Sequence, residues 1–166
     1  MPYVGSYVWK VRQKFGPGLL LLPAASVIVA REDGAVLLMK RVDTGLWSII
    51  GGFAEEGLGF VDTALAELEE EAGLRATKSD LTPFAVLSHP KKMRITFANG
   101  DEVQVFTQCF VVRHWQELDQ IIDEEEVAEL KFMQLDEITD DMLHSITREE
   151  IAAYKAYLET GDIQTQ

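Results

Sequence analysis

An α+β sandwich with a helix on each face of a sheet is the fold this sequence predicts, and three observations predict it. Apolar runs of strand length come in groups separated by turn residues, several of them placed to form hairpins. Helical periodicity is confined to a few stretches that stand apart between those runs. No repeat, low-complexity tract or linker breaks the order, and 166 residues are enough for one domain with a sizeable core.

The elements follow in order. Val4, Tyr7, Val8, Val11 and Phe15 fall at helical spacing and Gly16-Pro17-Gly18 stops the run, which predicts a short amphipathic helix in an N-terminal extension over residues 1–18. Residues 19–166 read as a single domain. The apolar runs 19–30 and 35–41 flank Arg31-Glu32-Asp33-Gly34 and predict a hairpin. The turn Asp43-Thr44-Gly45 leads into a short apolar run, 47–50, and then to Gly51-Gly52. Over 59–72 the pattern is helical: Val61, Ala64, Leu65, Leu68 and Ala72 make one apolar stripe, and Gly73 is a natural residue to follow a helix end. Segments 84–88, 93–98 and 102–113 read as strands, the last two joined at Asn99-Gly100-Asp101. An acidic loop at 123–126, a strand at 129–135 and a closing helix at 148–159 complete the chain.

Composition narrows the function classes. Hydrophobic content of 47% and charged content of 26% are ordinary for a soluble globular protein. A net charge of −13, from 15 basic and 28 acidic residues, argues against a nucleic-acid polymer or an anionic membrane surface as partner. An anionic substrate would have to be neutralised locally, by metal ions or a few placed Lys and Arg. The single cysteine, Cys109, permits no internal disulfide and suits a reducing compartment. The N-terminus lacks the charged-then-apolar order of a signal peptide, and the longest apolar stretch, holding Pro23 and Ser26, is too short to span a bilayer. A cytoplasmic location is expected.

The helix over 59–72 carries an electrostatic anomaly. Glu67, Glu70 and Glu71 are spaced i, i+3, i+4 and stack on one face, away from the apolar stripe. Like charges at that spacing cost a few tenths of a kcal/mol, roughly, per pair. They also lie in the last turns, where the helix dipole disfavours negative charge. Local stability gives no reason for the arrangement; a bound divalent cation would. The competing reading is a solvated acidic face.

Register decides between them. The segment 51–74, GGFAEEGLGFVDTALAELEEEAGL, resembles the Nudix box, whose pattern is G-x5-E-x7-R-E-U-x-E-E-x-G-U with U a bulky apolar residue. Gly52, Glu67, Leu68, Glu70, Glu71, Gly73 and Leu74 match, seven of the nine defined positions, in a loop-helix setting. Leu58 stands where the pattern has Glu, and Ala66 where it has Arg. Upstream, VLLMKRVDTGLWSIIGG is similar to the family's approach to the box, with Ile50 in place of its usual proline.

The resemblance implies an α/β/α sandwich with a mixed sheet between helices. It also implies a hydrolase that cleaves a diphosphate bond in a nucleoside di- or triphosphate or a nucleoside diphosphate derivative, such as an oxidised dNTP or an ADP-ribose-like molecule. Mg²⁺ would be the cofactor, with Mn²⁺ as an alternative, since Mg²⁺ takes octahedral oxygen ligation and suits a half-shell of carboxylates. Glu67, Glu70 and Glu71 would be the ligands, joined by the Gly51 carbonyl and by Glu126 or Glu129 from the loop opposite, for which a solubilising acidic loop is an equal reading. Glu67 or a loop carboxylate would be the general base. In the same framework Arg41, with Lys40 beside it, resembles a phosphate-binding position, and Phe53 is placed to stack on a base. For Arg41 an edge-strand charge is an equal reading, and for Trp47 core packing is the better one. Lys91, Lys92 and Arg94 beside His89 read as a solvated hairpin tip before a phosphate site. Glu55 matches a family glutamate that reaches metals through water.

The missing Glu and Arg form a brace in the family. Losing both together avoids an uncompensated charge and leaves Leu58 and Ala66 able to pack as an apolar contact. A slower enzyme is the expectation, and a nucleotide-binding domain without hydrolysis is the alternative. A small nucleotide derivative is the expected partner; a homodimer is left open.

Overall fold

The computed structural model describes residues 4–97, 99–119 and 125–166. In chain order the elements are α1 (Tyr7–Phe15), β1 (Leu20–Val29), β2 (Val36–Arg41), β3 (Trp47–Ser48), β4 (Ile50–Phe53), α2 (Phe60–Ala72) and β5 (Leu74–Arg75). They continue with β6 (Thr82–Leu87), β7 (Arg94–Thr96), β8 (Glu102–Val112), β9 (Gln116–Glu117), β10 (Val127–Met133), α3 (Ser145–Thr160) and β11 (Gln164–Thr165). The main sheet has the order β11-β6-β8-β1-β4, with β7 also on β8; β10-β2-β3 form a second sheet and β5-β9 a small pair. The sheet is mixed, because β1 runs parallel to β8 and antiparallel to β4. The α+β sandwich expected from the sequence is the fold observed.

Two apolar layers follow from the alternation along β1. Leu22, Ala24 and Ile28 face a core shared with Val8 of α1, Phe84, Val105 and Val111 of the sheet, and Ile151 and Tyr154 of α3. Ala25, Val27 and Val29 face the other way, onto Ala64, Leu68 and Ala72 of α2 with Phe110 and Val112. Residues i and i+2 of a strand share a face, so a run apolar on both faces belongs at the centre of a covered sheet.

That rule explains one correction. The turn at Arg31–Gly34 forms, with the Arg31 N–H donating to the Ala35 carbonyl at 2.9 Å, but the predicted hairpin of 19–30 with 35–41 does not persist. Its pairing is a single bridge, Ala30 to Val36. Beyond it β1 takes β8 and β4 as neighbours while β2 takes β10 and β3. Each strand is apolar on both faces, so each needs a neighbour on both edges and a cover on both sides, which a two-stranded ribbon cannot supply. By contrast the β7–β8 hairpin pairs as its turn predicts.

The N-terminal helix is anchored to the core. Val8 is 2% exposed and packs within it. Ser6 caps α1 by accepting the Trp9 N–H at 3.2 Å. Arg12 lies over the start of β8, donating to the Glu102 carbonyl at 2.7 Å and to the Gly16 and Gly18 carbonyls, with Asp101 at 3.4 Å. The Tyr7 N–H, at the positive end of the helix, points between both oxygens of Glu55 at 2.9 Å each. Removing such a cap costs about 1 kcal/mol. Glu55→Ala is therefore expected to lower stability by about that amount and to speed amide exchange across residues 7–15 before the rest of the chain. Unchanged exchange there would show that the other contacts of α1, among them Arg12, Val8 and the Ser6 cap, hold it without Glu55.

No helix among the described residues is long and apolar enough to cross a membrane.

Candidate active site

A cleft of about 570 Å³ wraps the exposed edge of the main sheet, at β4. Its lining comes from both faces. Glu67, Glu70 and Glu71 of α2, with Arg41 and Glu126, lie on one side; Ser26, Phe53, Thr107, Thr147 and Glu150 lie on the other. Gly51 and Gly52 form the ridge between them.

Both glycines are needed for the helix to approach. A Cβ on Gly51 would sit 2.6 Å from the Ala25 carbonyl oxygen and 2.8 Å from Ser26 Cα, so β4 could not lie against β1 as it does. A Cβ on Gly52 would fall 2.1 Å from Glu67 Oε1, in the space that the carboxylate itself occupies. The Gly51 N–H donates to Glu71 Oε2 at 2.9 Å and ties α2 to the strand.

The glutamate face is thus turned inward, onto β4, and is no solvated acidic surface. Glu71 is 4% exposed, while Glu70 reaches the open side of the cleft. Burial pushes the Glu67 carboxyl up to about 7, with Glu70, Glu126 and Glu55 adding repulsion. Burial also drives Glu71 well above the usual carboxylate range, and Glu67 and Glu126 add to it; the Gly51 N–H and Arg41 pull the other way. Crowded, desolvated carboxylates of this kind take up either protons or a cation. The donors are all hard oxygens, which fits Mg²⁺ or Mn²⁺. Among the described residues no three acidic, His or Cys side chains already converge at metal-ligand spacing.

The remaining predicted positions separate into two groups. Arg41, Gly51, Phe53 and Glu126 line the cleft. Arg41 is held by Asp43, with Nε to Oδ1 at 2.9 Å and Nη2 to Oδ2 at 3.0 Å, and it lies within electrostatic reach of Glu71 and Glu126. Lys40 and Glu129 do not line it. They face each other across the β2–β10 ladder, Glu129 is exposed, and the Lys40 ammonium lies 5.8 Å from the centre of the Trp47 ring. Trp47 packs against the core. The basic group is no hairpin tip: it lies in the connection from β6 to β7 and at the start of β7, two strands that pair with β8 and not with each other, where Lys92 pairs with Glu149 at 2.9 Å and Arg94 with Glu102 at 2.7 Å, and neither lines the cleft. Of the acidic loop 123–126, positions 123 and 124 lie outside the described residues.

Three expectations are revised. Glu55 lines the cleft within electrostatic reach of Glu67, and it also accepts the Tyr7 N–H between its two oxygens, so it doubles as a helix cap. Leu58 and Ala66 both line the cleft, but Leu58 stays 43% exposed, and the lost ion pair has no sealed apolar substitute. His144, given no role from sequence, lines the cleft at the start of α3, where burial, Arg41 and Arg148 hold its imidazole below its ordinary value against a smaller opposing pull from Asp43.

Glu150 escapes sequence reasoning altogether. It is buried at 4% exposure on the inner face of α3, four residues after Ile146 and four before Tyr154. A lone acid in register with an apolar stripe is the available signal. Cys109, buried beneath it, has its thiol pushed up by burial and then by the Glu150 charge, and is no candidate nucleophile.

A mixed sheet sandwiched by α2 on one face and by α1 and α3 on the other, with an acidic cleft at a Gly-Gly edge, defines a class of α/β/α proteins. Residues 20–154 match the NUDIX domain model, and the chain belongs to that family. It is 37% identical over 67 residues to a protein of Bacillus subtilis (strain 168) named "Putative 8-oxo-dGTP diphosphatase", covering 40% of this chain and 44% of that one. A "MutT-like protein" of Streptomyces ambofaciens is 33% identical over 76 residues, covering 46% and 49%. The chain thus spans just under half the length of these curated relatives. In structure it is similar to a MutT NUDIX hydrolase from Burkholderia pseudomallei, with a TM-score of 0.65 at 20% identity over 80% of this chain and 97% of that one. The family match begins at Leu20, so α1 lies outside it.

Proposed function

We propose that this chain is a Mg²⁺-dependent hydrolase of a diphosphate bond in a nucleoside di- or triphosphate or a nucleoside diphosphate derivative, with Mn²⁺ able to substitute. The observation that carries the proposal is the pair formed by half-buried Glu67 and buried Glu71 on the helix face that closes on Gly51-Gly52, with Arg41 lining the same cleft. Glu67, Glu70 and Glu71 hold the ion, joined by Glu126 and by the Gly51 carbonyl; Glu129, outside the cleft, is the weaker choice of loop ligand. When bound, the ion neutralises phosphate oxygens and acidifies the attacking water.

The chain's own groups do the rest. Arg41, kept in place by Asp43, binds a phosphate oxygen through the guanidinium edge that Asp43 leaves open. Gly51 fixes the orientation of Glu71 through its N–H. Glu67 takes the proton from the attacking water, and Glu126 is the alternative base. Phe53 offers a ring for stacking. Leu58 and Ala66 leave the ligand helix without its usual brace, which lowers metal affinity or rate by about 10–100-fold relative to a complete motif. The charge of −13 suits small nucleotide substrates in place of nucleic acid, and a free buried cysteine suits the cytoplasm.

The decisive measurement is product release over a panel of nucleotide derivatives with Mg²⁺ or Mn²⁺, wild type beside Glu70→Gln. Glu70 is exposed, so the variant keeps its fold and is expected to lose about 100-fold in kcat/KM. Undiminished hydrolysis would remove the site assignment. A blank panel with nucleotide-dependent thermal stabilisation would replace hydrolysis by binding.

A further inference from the structure

Past the Gly51-Gly52 ridge the cleft continues onto the opposite face of the sheet, between α1 and α3. Ala24 and Ser26 of β1 and Thr107 of β8 form its floor, Phe53 stands at its entrance, and Val8 of α1 and Glu150 of α3 form its walls. Val8 belongs to α1, which precedes the residues that match the family model.

Glu150 is out of place there by ordinary packing rules. An apolar residue between Ile146 and Tyr154 would bury without penalty, whereas a carboxyl must shed its hydration. No salt bridge of the described residues reaches it. Burial pushes it up to about 7, moderated by the Ser26 and Thr147 hydroxyls. Around neutrality a large share of it is therefore a neutral acid, presenting an O–H beside a C=O. A second sign of an intended ligand is the Ser48 hydroxyl, 6% exposed on the same cleft and without a hydrogen-bond partner.

We propose that this half of the cleft holds the nucleobase of the substrate, and that Glu150 is a specificity-determining residue whose carboxyl pairs with a base edge carrying an acceptor beside a donor. The inference rests on the reading that the glutamate half holds the diphosphate. Lactam edges, as in hypoxanthine, guanine and uracil, have this pattern: their N–H donates to the carboxyl carbonyl and their oxygen accepts its O–H. The space suffices, since nucleotide-sized ligands occupy pockets of roughly 300–1,000 Å³.

Binding of nucleoside monophosphates in EDTA, followed by NMR titration, tests the subsite without any hydrolysis. The probes are inosine and uridine monophosphates against their 1-methyl and 3-methyl counterparts, which lack the donor. Wild type is expected to prefer the unmethylated forms by about tenfold, as one hydrogen bond allows. Glu150→Ala is expected to lose that preference, and Glu150→Gln to keep it, because an amide offers the same donor and acceptor. Equal discrimination by wild type and Glu150→Ala, or no binding to wild type, overturns the proposal. A preference that depends on Glu150 in a protein that hydrolyses nothing upholds the subsite while sinking the hydrolase reading. Brisk hydrolysis with base selectivity indifferent to Glu150→Ala does the reverse.

Discussion

Glu71→Gln is expected to cut metal-dependent hydrolysis by about 100-fold or more while making the metal-free protein more stable above pH 7. The two effects have one origin. Glu71 is buried beside Glu67 and within reach of Glu126, and its charge is opposed by the Gly51 N–H and by Arg41 alone among the groups that shift it. A glutamine keeps the volume and keeps an oxygen for the Gly51 N–H. It removes the desolvated charge, a relief on the order of 1–3 kcal/mol. What it cannot do is neutralise a cation. Denaturant unfolding in EDTA at pH 8, read beside kcat/KM in Mg²⁺, separates the two effects. A variant that loses activity and stability together would make Glu71 a structural brace and leave the metal without its most buried ligand. The trade of stability for a charged, desolvated site is what a binding centre imposes on its fold.

Much of this arrangement is legible in the chain alone. The helix over 59–72, its closing Gly73 in the left-handed conformation at φ 63°, and the shared face of Glu67, Glu70 and Glu71 all follow from local periodicity and turn chemistry. The β7–β8 hairpin follows from Asn99-Gly100-Asp101 in the same way. Failure comes where partners are remote in sequence. The turn at Arg31–Gly34 says hairpin, but the central place of β1 is set by β8, which starts more than seventy residues later. Short edge elements such as β5, β9 and β11 carry too few residues for any pattern to show.

The site divides along the same line. Ligands on one helix are a local matter, whereas the second half of the cleft is assembled from α1, β1, β8 and α3. Glu150 illustrates the difference. In sequence it sits in the acid-rich stretch Arg148-Glu149-Glu150, where its neighbour Glu149 takes the surface role and pairs with Lys92. Only the packing of α3 on the sheet makes Glu150 the inward one. Glu55 has a second role that the motif does not show: α1, which precedes the family match, supplies a backbone donor that it caps while it lines the cleft.

The metal-free protein is expected to lose stability as pH rises from about 4.5 through 7, the loss continuing higher for as long as Glu71 keeps its proton. Glu67 and Glu150 are each lifted from an ordinary value of 4.5 to about 7, and Glu71 is lifted as well. Between those limits the folded chain holds protons that the unfolded chain has released, so each further pH step costs stability; below 4.5 both states are protonated and the difference vanishes. Two such groups give a total on the order of a few kcal/mol. Each retained proton is worth about 1.4 kcal/mol for every pH unit crossed, less what relaxation and water recover. The pull on Asp43, lowered first by its hydrogen bond to Arg41, acts in the opposite sense but only below its ordinary 3.8, outside this window. Urea unfolding in EDTA at pH 5.5 and at pH 8 reads the slope directly. Mg²⁺ should then separate the contributors. At pH 8 it should restore the part owed to Glu67 and Glu71, because the ion replaces the missing protons, while at pH 5.5 it must displace protons and should stabilise less. The part owed to Glu150, across the Gly51-Gly52 ridge, should persist in Mg²⁺ and disappear in Glu150→Gln. An equal Mg²⁺ increment at the two pH values would place the ion away from the helix carboxylates; a slope untouched by Glu150→Gln would mean that Glu150 already carries its charge in the folded chain, and would take from the base pocket its neutral acid.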